Sequence, residues 1–151
     1  MPSSPAWISL SDAEQLQWRR RLLEDAEEAC LSAYSPFSRI RVGAALLAND
    51  LRVIRGANVE NSSYGLTVCA ERVAIFTAIA QGYRSGDFAG IAVVAYDIEG
   101  CARDALPCGA CLQVLSEFAP SPSDFFVLIK QSEGVVRKVC LADLLPHPFR
   151  L

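Results

Sequence analysis

Two stretches of the sequence place thiols and a carboxylate at spacings suited to metal chemistry. Pro107-Cys108-Gly109-Ala110-Cys111 is a Cys-x-x-Cys at the start of a predicted helix. Three residues apart, its two sulfurs can face the same side and share one ion. Amides at a helix start carry partial positive charge, which lowers thiol pKa and supplies donors to thiolates. Alone, the motif is open to zinc, redox and iron–sulfur uses. A redox motif normally follows the first strand of its fold, whereas this one comes late, behind a proline-bearing loop. The second stretch, Cys69-Ala70-Glu71, lies at the beginning of another predicted helix. If the strands flanking these helices run parallel, right-handed crossovers bring both helix starts to one end of the sheet. Cys69, Cys108 and Cys111 then converge on one ion. Three protein ligands leave one tetrahedral position for water, the mark of a catalytic zinc site rather than a structural one. A lone Glu early in a helix is usually only a favourable charge there. Glu71 lies two residues from a ligand in an otherwise apolar helix, and is assigned instead to proton transfer.

Charge singles out a fifth residue. Three thiolates and a zinc dication sum to about −1, and bound hydroxide makes the sum about −2. The two helix starts offset part of this. Arg72 is the only full positive charge nearby in sequence, and it is expected to donate hydrogen bonds to one or more of the sulfurs. The other cysteines, Cys30, Cys101 and Cys140, read as small buried or incidental residues. The one histidine, His147, sits between prolines near the end of the chain and is assigned to the surface.

The elements that must position these residues follow from pattern. Residues 1–9, rich in Pro and Ser, read as a flexible lead-in, and 10–151 as a single domain. Ser11-Asp-Ala-Glu14 is a capping box opening a helix to about Ala33, which Pro36 forbids from continuing. Val42–Ala48 and Arg52–Ala57 read as a hairpin, and Leu66–Gln81 as a helix closed by Gly82. Phe88–Tyr96 is nearly continuous in apolar residues, as a central strand covered on both faces should be. Residues 101–107 read as a loop, Gly109–Phe118 as a helix, and Phe125–Lys130 and Val135–Val139 as strands. A short helix is expected over Leu141–Leu145. This order predicts an α/β fold, a three-layer α/β/α sandwich around a five-stranded mixed sheet.

Composition narrows the function. With 52% hydrophobic and 21% charged residues, the chain can bury a sizeable core, and the nearly all-apolar helix after Cys69 asks for cover from a second subunit. Net charge is −3 and the 14 Lys and Arg are scattered, so no nucleic-acid partner is expected. No apolar run approaches the roughly 18–20 residues of a membrane span. Residues 1–10 lack the basic start and apolar core of a signal peptide, so a cytoplasmic location is expected.

Taken together, Cys69-Ala-Glu-Arg72 and Pro107-Cys-Gly-Ala-Cys111 resemble the zinc motif of the cytidine deaminase family, in its small homotetrameric type with three cysteine ligands. Tyr34-Ser-Pro-Phe-Ser38, Val42-Gly-Ala-Ala45, Asn58-Val-Glu-Asn61, Tyr64-Gly-Leu66 and Leu144-Leu-Pro-His-Pro-Phe149 are similar to further family segments, in the family's order. The resemblance implies one zinc per chain and hydrolysis of cytidine and deoxycytidine to uridine and deoxyuridine, a step of pyrimidine salvage. Glu71 would take the proton of a zinc-activated water, protonate N3 and deliver a proton to the leaving ammonia. Asn58 and Glu60 would hold the ribose hydroxyls, and Phe37 would pack on the pyrimidine. The Ala70 amide and the Glu71 carboxyl would read the ring carbonyl and N3. Phe149 would reach a neighbouring subunit's pocket, with Ser62 and Tyr64 lining a pocket across an interface. Two departures stand out: Leu112 where the family often has Arg, and Ser62 where it often has Ala. The alternatives are a deaminase of a related cytosine nucleoside such as blasticidin S, and a catalytically silent zinc-binding module.

Overall fold

The computed structural model describes residues 6–151, so Met1–Pro5 of the expected lead-in lie outside the described residues. The elements are α1 (Asp12–Ala29), β1 (Ile40–Ala48), β2 (Val53–Ala57), α2 (Ala70–Ala80), β3 (Phe88–Asp97), β4 (Ala102–Arg103), α3 (Gly109–Phe118), β5 (Phe126–Lys130), β6 (Val136–Cys140) and α4 (Leu141–Leu144). The sheet runs β2-β1-β3-β5-β6, with β4 pairing on β3. Among the strands of the described residues, β3 and β5 are the pair that runs parallel.

Strand alternation splits the core into two layers. Ala44, Leu46, Ile91, Val93, Val127 and Ile129 face α2, α3 and α4. Ala45, Leu47, Ala92, Val94, Phe126 and Leu128 face α1, which contributes Leu22, Ala26 and Cys30. The sandwich expected from sequence is therefore the observed one. Its central strands, β1 and β3, are buried on both sides over most of their length. Arg55 on β2 bonds to Asp25 and Glu28, and Lys130 on β5 to Glu27, so α1 is tied to the sheet near both edges.

Four expectations change in detail. The sheet has a sixth strand, β4, because the Asp97 carboxylate accepts from the Glu99 and Cys101 amides and folds the chain back along β3. Trp7 is not loose: it stacks on Phe126 at 5.2 Å between ring centroids, and its amide donates to the Asn49 carbonyl. A lone aromatic among Pro and Ser gave no periodic signal of this. The first helix ends at Ala29 and continues as a 3₁₀ turn over Cys30–Ser32, after which Tyr34 bridges to Val59. The second helix begins at Ala70 rather than Leu66, since Tyr64–Leu66 is a separate 3₁₀ turn and Val68 pairs back on Val59.

Topology then sets the position of the two motifs. β2 and β3 each run antiparallel to β1, so they point the same way. α2 follows β2, and α3 follows β3 after the two-residue β4, which pairs on the last residues of β3, so both helices start at the same end of the sheet. Gly56 on β2 lets α2 approach closely: a Cβ there would lie 2.4 Å from the Ala70 carbonyl oxygen and 2.5 Å from the Ala74 nitrogen. Both are backbone atoms and cannot turn aside. Gly56→Ala is expected to lower stability by about 1–3 kcal/mol, the usual cost of overpacking. It should also loosen metal binding, because the displaced turn begins at Cys69. Thermal unfolding and metal content of the purified variant check both effects.

Candidate metal centre and active site

Cys69 is the N-cap of α2 and Cys108 the N-cap of α3. Both have extended backbone and neither side chain caps its own helix, which leaves the sulfurs free to turn toward each other. Cys111 follows on the first turn of α3 and is fully buried. The sulfurs of Cys69 and Cys108 are 4.0 Å apart, those of Cys108 and Cys111 3.4 Å, and all three lie within 4.8 Å of one another. Three thiolates bound tetrahedrally at the usual zinc–sulfur length of about 2.3 Å would be roughly 3.8 Å apart. The cluster fits that ion without rearrangement of the backbone.

The Cys69 and Cys111 thiols are pushed in opposite directions. Hydrogen bonding from Cys111, then Arg72, pulls the Cys69 thiol down to about 5, against the opposing effect of burial. The hydrogen bond with Cys69, burial and the charge of Glu71 hold the Cys111 thiol far above its ordinary value. Of these two, Cys69 gives up its proton readily and Cys111 holds its proton, and a bound divalent cation would favour the thiolate of both. Arg72 Nη2 lies 3.5 Å from the Cys69 sulfur, and that bond favours its charged form. It is the cation that sequence charge balance called for at this place.

Glu71, in the first turn of α2, is only 4% exposed. Burial pushes its carboxyl up to about 7; the Cys69 thiolate adds to this, while its own backbone hydrogen bond and Arg72 oppose it. A carboxyl poised there can carry a proton in either direction near neutral pH.

Glu71, Cys69 and Cys108 open onto a cavity of about 280 Å³ that Asn58, Glu60 and Tyr64 also line. Asn58 is buried and anchored: its Oδ1 accepts from the Val42 amide and its Nδ2 donates to the Ile40 carbonyl. Glu60 accepts from the Phe37 and Ser38 amides and the Ser38 hydroxyl, at 3.1–3.3 Å. Ala70 and Cys111 sit behind the cavity, fully buried, and Phe37, Ser62 and Phe149 are exposed on the single chain. Sequence reasoning missed the wall formed by Asp104, Ala105 and Leu106, and the contributions of Ser38 and Thr67. The available signal was position: residues 104–106 immediately precede the Pro107-Cys108 pair, and the one ionisable group among them, Asp104, accepts from the Ser132 amide. Another grouping of possible ligands, Asp97, Glu99 and Cys101, is explained by the β3–β4 turn, where Asp97 accepts from two amides and pairs with Arg103.

Residues 16–126 match the sequence model of the cytidine and deoxycytidylate deaminase zinc-binding region, a span that contains all three cysteines and Glu71. The chain belongs to the cytidine deaminase family. It is 47% identical over 131 residues to a cytidine deaminase of Halalkalibacterium halodurans, covering 87% of this chain and 93% of that one. It superposes on the crystal structure of a cytidine deaminase from Burkholderia pseudomallei with a TM-score of 0.77 at 47% identity, covering 86% and 98% of the two chains. A more distant relative, 32% identical over 132 residues and covering 85% and 89%, is a blasticidin-S deaminase of Bacillus cereus. The Cys69, Cys108 and Cys111 cluster fits the zinc site of this family. With Leu112 in place of a second arginine, Arg72 is the cation that touches it. Arg72→Gln should weaken zinc retention about 10–100-fold, the usual effect of losing a group that orients a ligand. Competition against a chromophoric chelator measures this, and unchanged affinity would remove Arg72 from that role.

Proposed function

We propose that this chain hydrolyses the exocyclic amino group of cytidine and deoxycytidine, giving uridine or deoxyuridine and ammonia, with Glu71 as the proton carrier. The observation that carries the reading is a buried carboxyl with a raised pKa beside a three-thiolate centre, in a cavity that also holds Asn58 and Glu60. Bound zinc lowers the pKa of water and so supplies the nucleophile at neutral pH. Glu71 accepts the proton released as water adds to C4, and passes it to N3 of the ring. The carbon becomes tetrahedral, and Glu71 then moves the second proton to the departing amine, so that ammonia rather than amide leaves.

The remaining contacts are assigned from chemistry still free at each group. An Asn amide has two N–H donors and Asn58 uses one on Ile40, so the other is available to a ribose oxygen. Glu60 Oε1 takes three of the donors from Phe37 and Ser38, and Oε2 only the Ser38 amide, so Oε2 can accept from the 3′-hydroxyl. The Ala70 amide, at the first position of α2, has no carbonyl partner within its helix and suits the ring carbonyl. Phe37 would pack on the base. Ser62, Tyr64 and Phe149, exposed here, would complete the pocket from or toward a neighbouring subunit. The outward face of α2, with Phe76 49% exposed, supports a homotetramer of this kind. The described helices include none long and apolar enough to cross a membrane, and a cytoplasmic enzyme of pyrimidine salvage is the corresponding cellular role.

Glu71→Gln should keep zinc near one per chain and lose turnover by at least the 10²–10⁴-fold typical of general acid–base catalysis. A Gln variant of near-normal rate would sink the assignment. Absorbance assays on cytidine, deoxycytidine, blasticidin S and CMP should give turnover of the first two. Zinc-loaded protein that turns over blasticidin S and neither nucleoside would select the other substrate, and zinc without any turnover would select the silent module.

A further inference from the structure

Beyond α4 the chain turns onto the outer side of α3 and is gripped there at one residue. Gln113 Nε2 donates to the Phe149 carbonyl at 2.9 Å, and Gln113 Oε1 accepts from the Phe149 amide at 3.0 Å. Arg150 Nη2 donates to the Ser116 carbonyl at 3.1 Å one helical turn on. Ser116 is itself buried, and its hydroxyl turns back onto the Gln113 carbonyl at 2.8 Å.

One side-chain amide that meets both the N–H and the C=O of a residue fixes both peptide planes around its Cα, as a strand neighbour would. The direction of Cβ is then fixed too. Pro146 and Pro148 restrict the approach to this point, so less freedom is lost on docking. Yet the aromatic ring held in this way is 69% exposed. A fixed backbone carrying an unburied Phe gains nothing from packing within one chain.

The helix supplies the rest of the geometry. Residues two apart on an α-helix point about 200° away from each other. Cys111 faces inward to the zinc site, so Gln113 faces outward to the tail. One turn of α3 therefore carries a zinc ligand on one side and the grip on Phe149 on the other. At the cavity, Tyr64 is 70% and Leu106 63% exposed, an apolar rim that this chain leaves uncovered.

We infer that Gln113 is a positioning residue that presents Phe149 to the substrate cavity of a second copy of the chain. The inference rests on the proposed part of Phe149 in a shared site, and adds the group that aims it.

The test compares zinc-loaded enzyme with Gln113→Met, Gln113→Glu, Phe149→Ala and the Gln113→Met/Phe149→Ala double variant. Met has similar length and no hydrogen bonds; Glu keeps an acceptor for the Phe149 amide but loses the donor to its carbonyl. For cytidine, both Gln113 variants should raise KM about five- to tenfold with kcat within about twofold, the sign of lost substrate binding rather than lost chemistry. Zinc per chain and particle size should match the parent. The double variant should equal Phe149→Ala alone, because a grip on a missing ring has nothing left to aim. Independent, multiplicative effects of the two substitutions would overturn the inference, as would a fall in kcat and zinc at unchanged KM. Parental KM in the Gln113 variants beside a raised KM in Phe149→Ala overturns the positioning role alone. Parental KM in Phe149→Ala overturns the shared-site reading of Phe149, and this inference with it.

Discussion

Three thiolates held within one small volume of a largely apolar protein are the constraint on which the rest of the structure turns. Uncompensated, their charges would repel at the short separations seen among Cys69, Cys108 and Cys111. Compensation comes from a divalent ion, from Arg72, and from two helix N-termini that aim their amides the same way. The last of these is a matter of topology. Helix starts converge only if the strands leading into them point together, and β1, antiparallel to both, makes β2 and β3 do so. The hairpin that opens the sheet thus decides where the charge can be placed. Gly56 decides how closely α2 may lie upon it.

The same economy of position governs the carboxylates. Glu71 is driven toward a neutral-range pKa by the burial that its helix requires. Glu60, in the loop after β2, is instead surrounded by donors from residues 37–38, which fix its orientation. Two acidic groups in one cavity are thereby given different environments: one governed by burial, with its own backbone amide as partner, suited to moving protons, and one surrounded by donors, suited to holding a hydroxyl. Asn58 ties the loop to β1 at two points, so this wall of the cavity is held against the sheet.

Much of this was legible in the sequence because it depends on residue type at short spacing. The Cys69/Glu71 and Cys108/Cys111 motifs, the continuous apolar run of β3 and the Ser11–Glu14 capping box each declare themselves locally, and the box is formed as read. What escaped depends on contacts distant in sequence. Trp7 is buried only because Phe126 lies beneath it. β4 exists because Asp97 captures two amides beyond a turn whose Gly100 has positive φ. The 104–106 wall has no periodicity, and its one carboxylate, Asp104, is bound to the Ser132 amide; its place in the cavity follows from Cys108 meeting Cys69 and Cys111. The start of α2 was blurred by Leu66, which continues the helical pattern in sequence but is 66% exposed in a separate turn.

Part of the apolar surface exposed on the single chain lies where the chemistry is. Tyr64, Leu66, Phe76, Leu106 and Phe149 are large apolar side chains left in solvent, and they lie on or beside the elements that carry the cavity and the zinc ligands. A protein able to bury β1 and β3 over most of their length did not lack apolar residues with which to fold. The simplest physical account is that folding of one chain and completion of its site are separate steps. The sheet and α1 supply the first. Helices α2 and α3, each with a zinc ligand at its start and uncovered apolar surface on or docked to its outer side, link the second to association. On that account, cover of those surfaces by neighbouring copies, as proposed above, would act on the same two helices that carry the cysteines of the zinc site.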